Sequence, residues 1–159
     1  MAKAKPKECP CHSGVRYADC CGRFHAGKAP DTPEQLMRSR FSAFALGLGE
    51  YLVDTVSANH EDRAVPRADL VRALSMAKTQ QRFLGLRIAH HAEEENTGEV
   101  LFVARVYVRG EDQSFAELSE FVREEGRWRY ARGTLLPTAR LPRDPSSLTL
   151  EEFFVLSAG

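Results

Sequence analysis

Four cysteines near the N-terminus are the residues of this chain whose types and spacing most directly indicate chemistry. Cys9, Cys11, Cys20 and Cys21 follow the pattern C-x-C-x8-C-C, and the rest of the sequence contains no cysteine. Four converging thiolates complete a tetrahedral site for zinc or iron and leave no ligand position for water. Because neither close pair can supply opposite corners alone, the link between the pairs must fold back. The pattern predicts a closed, structural metal site, with zinc as the expected ion and iron as its substitute.

Two alternatives to this ligand set stay open from spacing alone. Cys20 and Cys21 could form a disulfide between neighbours, or the thiols could stay unligated. His12 or His25 could replace one thiolate, although we expect both imidazoles to be loop side chains in solvent. The Ser13-Gly14 pair predicts a turn in which the glycine is left-handed.

The remaining composition is that of an ordinary globular protein. With 159 residues the chain can form one main hydrophobic core and a small appendage. The formal charge is zero overall, with +4 in residues 1–30, −3 in 31–136 and −1 in 137–159. Neutrality argues against nucleic acid or a membrane surface as a partner of the whole protein. The N-terminal excess indicates only a local basic patch, formed by Lys3, Lys5, Lys7, Arg16, Arg23 and Lys28.

The same three segments are the predicted domains. Residues 1–30 form the metal motif and a connector, residues 31–136 the main domain, and residues 137–159 a Pro-rich tail that ends in a short helix. Residues 1–8 lack the apolar run of a secretory signal, and no later run is long and apolar enough to span a membrane. We therefore expect a cytoplasmic protein, in which clustered cysteines bind metal or act in redox chemistry rather than form structural disulfides.

The first half of the main domain has helical periodicity. Thr32 is the expected N-cap of a first helix, with Pro33 at the first helical position and Gln35 three residues after the cap. Apolar side chains then recur at three- and four-residue steps, which predicts one apolar stripe. Shorter helices are expected over 51–56 and about 69–78.

Near residue 82 the hydrophobic period changes from about 3.6 to 2, which predicts strands. Apolar residues occupy most of both faces of the second strand, so we expect it to be central and covered on both sides. Helices followed by a sheet indicate an α+β fold. Four runs would form an antiparallel meander, over residues 83–89, 100–109, 114–123 and 128–132.

A terminal helix is expected after the capping-box pair Thr149 and Glu152. A helix this short is marginal in water by itself. We therefore expect it to dock on the body of the protein or on a partner.

The cysteine stretch resembles a known motif. Residues 9–22, with the pattern CPCxSGxxYxxCCG, are similar to the SEC-C motif, a small zinc-binding element of the SecA translocation ATPase and of many bacterial proteins. His12 stands where the family usually has glycine. The resemblance implies zinc on the four cysteines. By analogy with the motif of SecA, it also implies a partner that is a chaperone, a ribosomal component or nascent-chain machinery.

Residues 7–136 resemble the YchJ family of bacterial proteins of unknown function. The similarity lies in LMRSRFSAF at 36–44, in GLxI at 85–88 and in ELSEFxRExGRWxY at 117–130. The resemblance implies a nuclear-transport-factor-2-like domain, a cone of helices wrapped by a curved antiparallel sheet. Unlike many members, this chain has no histidine in the segment Phe115-Ala116-Glu117 and no second cysteine motif at its C-terminus.

Cone-shaped domains of this type enclose a pocket between the sheet and the helices, and some relatives are enzymes. His60, His90 and His91 lie in a predicted loop and at a strand end, so we expect them at the surface. Expected pocket residues are Arg40, Arg105, Tyr107, Glu117 and Trp128, with Arg38, Ser119 and Tyr130 as further candidates.

Arg40 falls within the apolar stripe of the first helix. A buried guanidinium needs a carboxylate or carbonyl partner, which Glu117 or Glu120 on the third strand could provide. We expect an ion pair that ties helix to sheet, rather than a ligand-binding arginine.

The function that these features favour is a non-enzymatic, metal-binding adaptor that docks on a macromolecular partner through its SEC-C motif. The alternative is a small-molecule-binding protein, or an enzyme of the hydrolase or isomerase type, that uses the cavity of the cone. A third hypothesis is nucleic-acid binding through the N-terminal lysines. The absence of an aromatic and basic face argues against it. The sequence alone does not define the oligomeric state.

Overall fold

The computed structural model describes residues 8–158, whose helices and strands follow the predicted order. Lys3, Lys5 and Lys7 of the expected basic patch lie outside these residues. The helices are α1 (Cys21–His25), α2 (Pro33–Leu46), α3 (Gly49–Asp54), α4 (Arg67–Ser75), α5 (Ala77–Gln80) and α6 (Leu150–Ala158). The strands are β1 (Arg82–Glu93), β2 (Thr97–Val108), β3 (Glu111–Asp112), β4 (Phe115–Glu124) and β5 (Arg127–Leu136).

Helix α2 begins where the capping pattern predicts. The Thr32 hydroxyl accepts a hydrogen bond from the Gln35 backbone N–H at 3.1 Å, and Pro33 occupies the first turn. The Gln35 side chain accepts from the N–H of Asp31 at 2.7 Å, one residue before the usual capping-box position. The helix ends at Gly47, whose φ of 75° is left-handed. The predicted first helix is therefore confirmed at its start.

The next two predicted helices differ in their bounds. Helix α3 starts at Gly49, two residues before the predicted start. This glycine packs directly on α4, where a Cβ would collide with the carbonyl oxygen of Val71 and the hydroxyl of Ser75. The third predicted helix is divided at Met76 into α4 and α5.

The sheet has the predicted antiparallel meander, in the order β1-β2-β4-β5. The two-residue strand β3 is an addition, and it pairs with the end of β2. Glu125 and Gly126 both have positive φ, 51° and 78°, as a tight hairpin turn requires. Register shifts in the β1–β2 and β4–β5 pairs mark irregularities that bend strands and increase their twist.

Strand β2 is central and covered on both faces, as its sequence predicted. Its inner face packs on the buried side of α2. Its outer face is covered by the C-terminal tail, where Leu148 and Phe153 are buried, so the terminal helix docks on the body. The expected capping box is present, because Thr149 and Glu152 exchange side-chain to backbone hydrogen bonds of 3.1 Å. Over residues 8–158, no helix is both long and apolar enough to traverse a bilayer.

Candidate metal centre

The four cysteine sulfurs converge. All four Sγ atoms lie within 4.8 Å of one another, and those of Cys11 and Cys20 are 3.7 Å apart. A tetrahedral ion with sulfur bonds of about 2.3 Å needs sulfurs about 3.8 Å apart, so a small contraction would close the site. The four cysteines are free thiols, and Cys20 and Cys21 form no disulfide. The donor set therefore fits a metal ion that prefers four thiolates.

Two left-handed residues fold the link between the cysteine pairs back on itself. Gly14 has a φ of 83°, as expected, and His12 has a φ of 61°. This backbone requirement explains why relatives would favour glycine at the position of His12. Here the imidazole compensates, since its Nε2 atom lies 3.2 Å from the carbonyl oxygen of Phe83 and its ring packs edge-on against Phe41. A hydrogen bond of 2.8 Å from the Cys9 N–H to the Val15 carbonyl closes the loop.

The second cysteine pair lies at the start of α1. A short 3-10 turn over Tyr17–Asp19 leads into it, and Cys20 adopts an irregular backbone conformation before the helix begins. Cys9, Cys11 and Cys21 are buried, whereas Cys20 is half-buried. The ion would therefore lie largely out of water, with Cys20 as its most accessible ligand.

Polar groups surround the sulfurs. The Ser13 hydroxyl lies 3.3 Å from Cys20 Sγ, and the Ser42 hydroxyl lies 3.4 Å from Cys9 Sγ. Arg38 Nη1 donates to the carbonyl oxygen of Cys11 at 3.2 Å and lies 3.8 Å from its Sγ. Four thiolates on a divalent ion carry a net charge of about −2, which this guanidinium offsets.

Without a cation the thiols compete for protons. Hydrogen bonds with Cys21 and Cys9 lower the pKa of Cys11, and hydrogen bonds with Cys11 and Cys9 raise the pKa of Cys21. Burial raises the pKa of Cys20. Negative charges this close together disfavour one another, so a positive ion among the sulfurs would favour the thiolate form of all four.

His25 is not a solvent-exposed side chain, contrary to the expectation. Its Nδ1 accepts a hydrogen bond from the Tyr17 hydroxyl at 2.6 Å, and its Nε2 donates to the carbonyl oxygen of Ser39 in α2 at 2.8 Å. Its ring also packs edge-on against Tyr51 at 4.7 Å between centroids. Both ring nitrogens are hydrogen-bonded, so His25 links the cysteine motif to α2. Sequence reasoning missed this role because the partner carbonyl belongs to another element.

The cysteine motif also shares the hydrophobic core of the main domain. Cys9, Cys11 and Cys21 belong to the same buried cluster as Leu36 and Trp128. The motif is therefore built onto the body rather than connected to it by a linker alone.

Replacing His25 with alanine should destabilise the folded protein by about 2 kcal/mol, because two partly buried hydrogen bonds at about 1 kcal/mol each are lost. The free energy of unfolding in urea measures the effect. His91→Ala is the matched control, since this imidazole is 64% exposed. An equal loss of unfolding free energy in both variants would contradict this linking role of His25.

The same variant should change the pH dependence of stability. Burial lowers the pKa of His25 below its usual value near 6.5, so the unfolded chain takes up a proton first as the pH falls. The neutral imidazole therefore stabilises the wild-type fold above pH about 6.5, and this contribution decreases below it. The stability difference between wild type and His25→Ala should narrow in that acidic range.

A cavity of about 430 Å³ lies between the inner face of the sheet and the helices. Of the five expected pocket residues, it brings together Arg40 and Glu117, and the further candidates Ser119 and Tyr130 also line it. His60, expected at the surface, lines the cavity too, with its ring 5.6 Å from that of Tyr130.

The other expected pocket residues lie elsewhere. Arg105 and Tyr107 are on the outer face of β2, because the inner positions of this strand are the even-numbered ones. Arg105 lines a groove beneath the tail instead. Trp128 is fully buried in the core, where its Nε1 donates to the carbonyl oxygen of Asp31 at 3.2 Å. Arg38 faces the cysteines rather than the cavity.

Arg40 has a different partner from the one expected. Its Nη1 donates to the Leu52 carbonyl oxygen at 2.8 Å and to the Thr55 hydroxyl at 2.6 Å. Glu117 accepts hydrogen bonds from neighbours on the sheet, and Glu120 pairs with Arg132. Burial lowers the pKa of Arg40 to about 10, so the guanidinium stays charged at neutral pH. The expected ion pair between helix and sheet is therefore replaced by a carbonyl contact.

Comparison with known proteins agrees with this architecture. The family model described as "YchJ, middle NTF2-like domain" matches residues 32–133, and the SEC-C motif model matches residues 7–23. A UPF0225 protein of Bordetella parapertussis is 39% identical over 137 residues, covering 83% of this chain and 96% of its own length.

Two solved structures are similar along most of the chain. The solution structure of a SEC-C motif containing protein from Rhodopseudomonas palustris has 38% identity and a TM-score of 0.67, over 79% of this chain and 95% of that one. The crystal structure of a SEC-C motif containing protein from Psychrobacter arcticus has 25% identity and a TM-score of 0.66, over 89% and 90%. This chain thus belongs to the YchJ-like family, with a SEC-C motif on an NTF2-like domain.

Proposed function

We propose that this protein holds one structural metal ion, zinc in its native state, on Cys9, Cys11, Cys20 and Cys21. The observation that carries the proposal is the convergence of four sulfurs within 4.8 Å in a largely buried site. Four protein ligands leave no open position for water or substrate, which is the property of a structural rather than a catalytic site. The ion would hold both ends of the loop against α2.

Iron is the alternative ion, because tetrahedral thiolate sites accept either metal and availability then decides. Metal analysis of the protein purified from its native source should give about one equivalent of zinc. The Cys9→Ser variant should lose most of this metal. Val15→Ser is the matched control, since this exposed side chain lies in the same loop and offers no ligand. Metal-free protein with a disulfide between Cys20 and Cys21 would overturn the proposal.

A variant that leaves the four ligands in place makes the test sharper. Arg38→Gln keeps all four thiolates but removes the positive charge that lies 3.8 Å from Cys11 Sγ. Loss of such an outer contact typically costs 10–100-fold in metal affinity. Competition with a chelator of known affinity should therefore show weaker metal binding by this variant. Unchanged affinity would mean that Arg38 does not offset the charge of the site.

We further propose that the metal-ordered loop docks on a protein partner in the cytoplasm. Val15, 44% exposed, lies in the loop between the cysteine pairs beside Arg16, which is also exposed. An apolar side chain with a basic neighbour suits an acidic or mixed protein surface. The resemblance to the motif of SecA suggests a chaperone, a ribosomal component or nascent-chain machinery. Reduced thiols are the form expected in the cytoplasm.

Affinity capture from the source cell tests this docking. Wild-type bait should retain a partner that both Cys9→Ser and Val15→Asp lose. Cys9→Ser removes a ligand, whereas Val15→Asp keeps all four ligands and changes only the exposed surface of the loop. Val155→Asp is the matched control, since this side chain is 75% exposed on α6. Equal capture by all four baits would contradict docking through the loop. Capture of nucleic acid, with binding that weakens steeply as salt increases, would instead favour the hypothesis of nucleic-acid binding.

A further inference from the structure

We propose that the cavity of the cone binds a small dipolar organic acid, which has an apolar body, a carboxylate and an amino or hydroxyl group. The site is separate from the cysteines and goes beyond the metal-binding function. A volume of about 430 Å³ lies within the range of small-molecule pockets. Aromatic rings form much of its wall, namely Phe41, Phe44, Phe83, Phe102, Phe115 and Phe121.

Arg40 presents unused donors to this cavity. The residue is only 9% exposed, and both hydrogen bonds of its side chain come from Nη1. Among residues 8–158, Nε and Nη2 have no partner. Because no fully enclosed side-chain nitrogen or oxygen of these residues lacks a partner, the two nitrogens must open onto accessible space. A guanidinium edge with two free donors matches a carboxylate.

Glu117 presents an unused acceptor in the same cavity. Its Oε2 accepts from the Ser119 hydroxyl at 2.6 Å and from the Tyr130 hydroxyl at 3.0 Å. Within the described part of the chain, Oε1 has no hydrogen-bond partner. Gly133 makes room for this arrangement, since a Cβ there would collide with Glu117 Oε2 and the Tyr130 hydroxyl. An ammonium or hydroxyl group of a ligand would complete the carboxylate.

Tyr130 sets the spacing between the two groups. The guanidinium of Arg40 stacks on the ring of Tyr130, with Cζ 4.8 Å from the ring centroid, and the Tyr130 hydroxyl donates a hydrogen bond to Glu117. Arg40 thus lies over the face of the ring and Glu117 at its hydroxyl, and the two side chains form no ion pair with each other. A ligand with an acceptor and a donor a few bonds apart can reach both groups.

The charges of the wall favour a dipolar ligand over a simple ion. The wall contains one guanidinium, that of Arg40, and three carboxylates, those of Glu117, Glu61 and Asp62. Glu61 is exposed, and Asp62 lies 3.7 Å from His60 Nδ1. A simple anion would satisfy Arg40 but meet repulsion from these carboxylates, and a simple amine would leave the buried guanidinium unpaired. A zwitterion or a hydroxy acid meets both requirements.

Four probes with the same phenyl ring test the polar requirement on the full-length, metal-loaded protein. They are L-phenylalanine, 3-phenyllactate, 3-phenylpropionate and 2-phenylethylamine, titrated by NMR. The two bifunctional probes should bind at least about tenfold more tightly than the other two, because each charged hydrogen bond is worth about that factor. The proposal would be overturned if no probe binds, or if 3-phenylpropionate or 2-phenylethylamine binds as tightly as the two bifunctional probes.

Variants locate the binding site. Arg40→Lys and Glu117→Gln should each weaken the better probe at least about tenfold, with metal content unchanged. Glu120→Gln is the matched control, because this neighbour on β4 pairs with Arg132 outside the cavity. If Arg40→Lys fails to fold, Glu117→Gln still decides the outcome. Wild-type affinity in Glu117→Gln would place the probe elsewhere and overturn the proposal.

Discussion

Removing the metal ion should destabilise the whole core of the protein, not the N-terminal loop alone. Cys9, Cys11 and Cys21 are at most 3% exposed and share one buried cluster with residues of α2 and the sheet. Loss of the ion would leave charged or protonated thiols in that cluster with no common partner. An ion present at a thousandfold its dissociation constant contributes about 4 kcal/mol to folding, so we expect a loss of at least this size.

Trp128 provides the measurement, because it is the only tryptophan of the chain and lies in the same cluster. Unfolding in urea, followed by its fluorescence, should show a lower midpoint after chelation and in Cys21→Ser. Val15→Ser, in the same loop but exposed, should keep the wild-type midpoint. A tryptophan transition that is unaffected by metal removal would mean that the motif folds independently of the cone.

This coupling was not evident in the sequence, although the ligands were. Cysteine spacing identifies the four sulfurs because metal geometry restricts which residues can converge. It does not show which face of the loop packs on the body, since that depends on tertiary contacts such as His25 to the Ser39 carbonyl. The glycines after Cys21 therefore predicted only a connector, whereas three of the four cysteines share the core of the main domain.

The strands show the same limit. Alternation predicted the meander, and apolar residues on both faces of β2 predicted its central place. The same feature hid which face was inner. Arg105 and Tyr107 were therefore expected at the cavity together with Ser119 and Tyr130, but of these four residues only Ser119 and Tyr130 line it. When both faces are apolar, a period of two carries no information about orientation.

Arg40 illustrates a partner that sequence patterns cannot reveal. Its burial in the apolar stripe was predicted, and a carboxylate seemed the natural partner. The acceptor is instead the carbonyl of Leu52, in the last turn of α3, where backbone oxygens lack an intrahelical partner. Any helix end could offer such a group, so only the packing of α2 on α3 determines the choice.

The second large effect is expected at the C-terminal helix. Phe153 is fully buried against the outer face of the sheet, whereas its neighbour Phe154 is 53% exposed. Phe153→Ala should lower the free energy of unfolding by about 3 kcal/mol, the lower end for truncation of a buried phenylalanine, because α6 can relax at the edge of the fold. Phe154→Ala, on the same helix, should change it by no more than about 0.5 kcal/mol.

The difference between these two variants tests whether the tail is an integral layer of the domain. Leu101, Val103, Leu118 and Leu136 are buried on the outer face of the sheet and form one cluster with the tail. If α6 leaves, this apolar face meets water, so Phe153→Ala should also increase binding of a hydrophobic dye and the tendency to aggregate. Equal effects of the two variants would mean that α6 does not stay packed on the outer face of the sheet in solution. The cone would then have one covered face, and the apolar residues on the other face of β2 would need a partner protein to cover them.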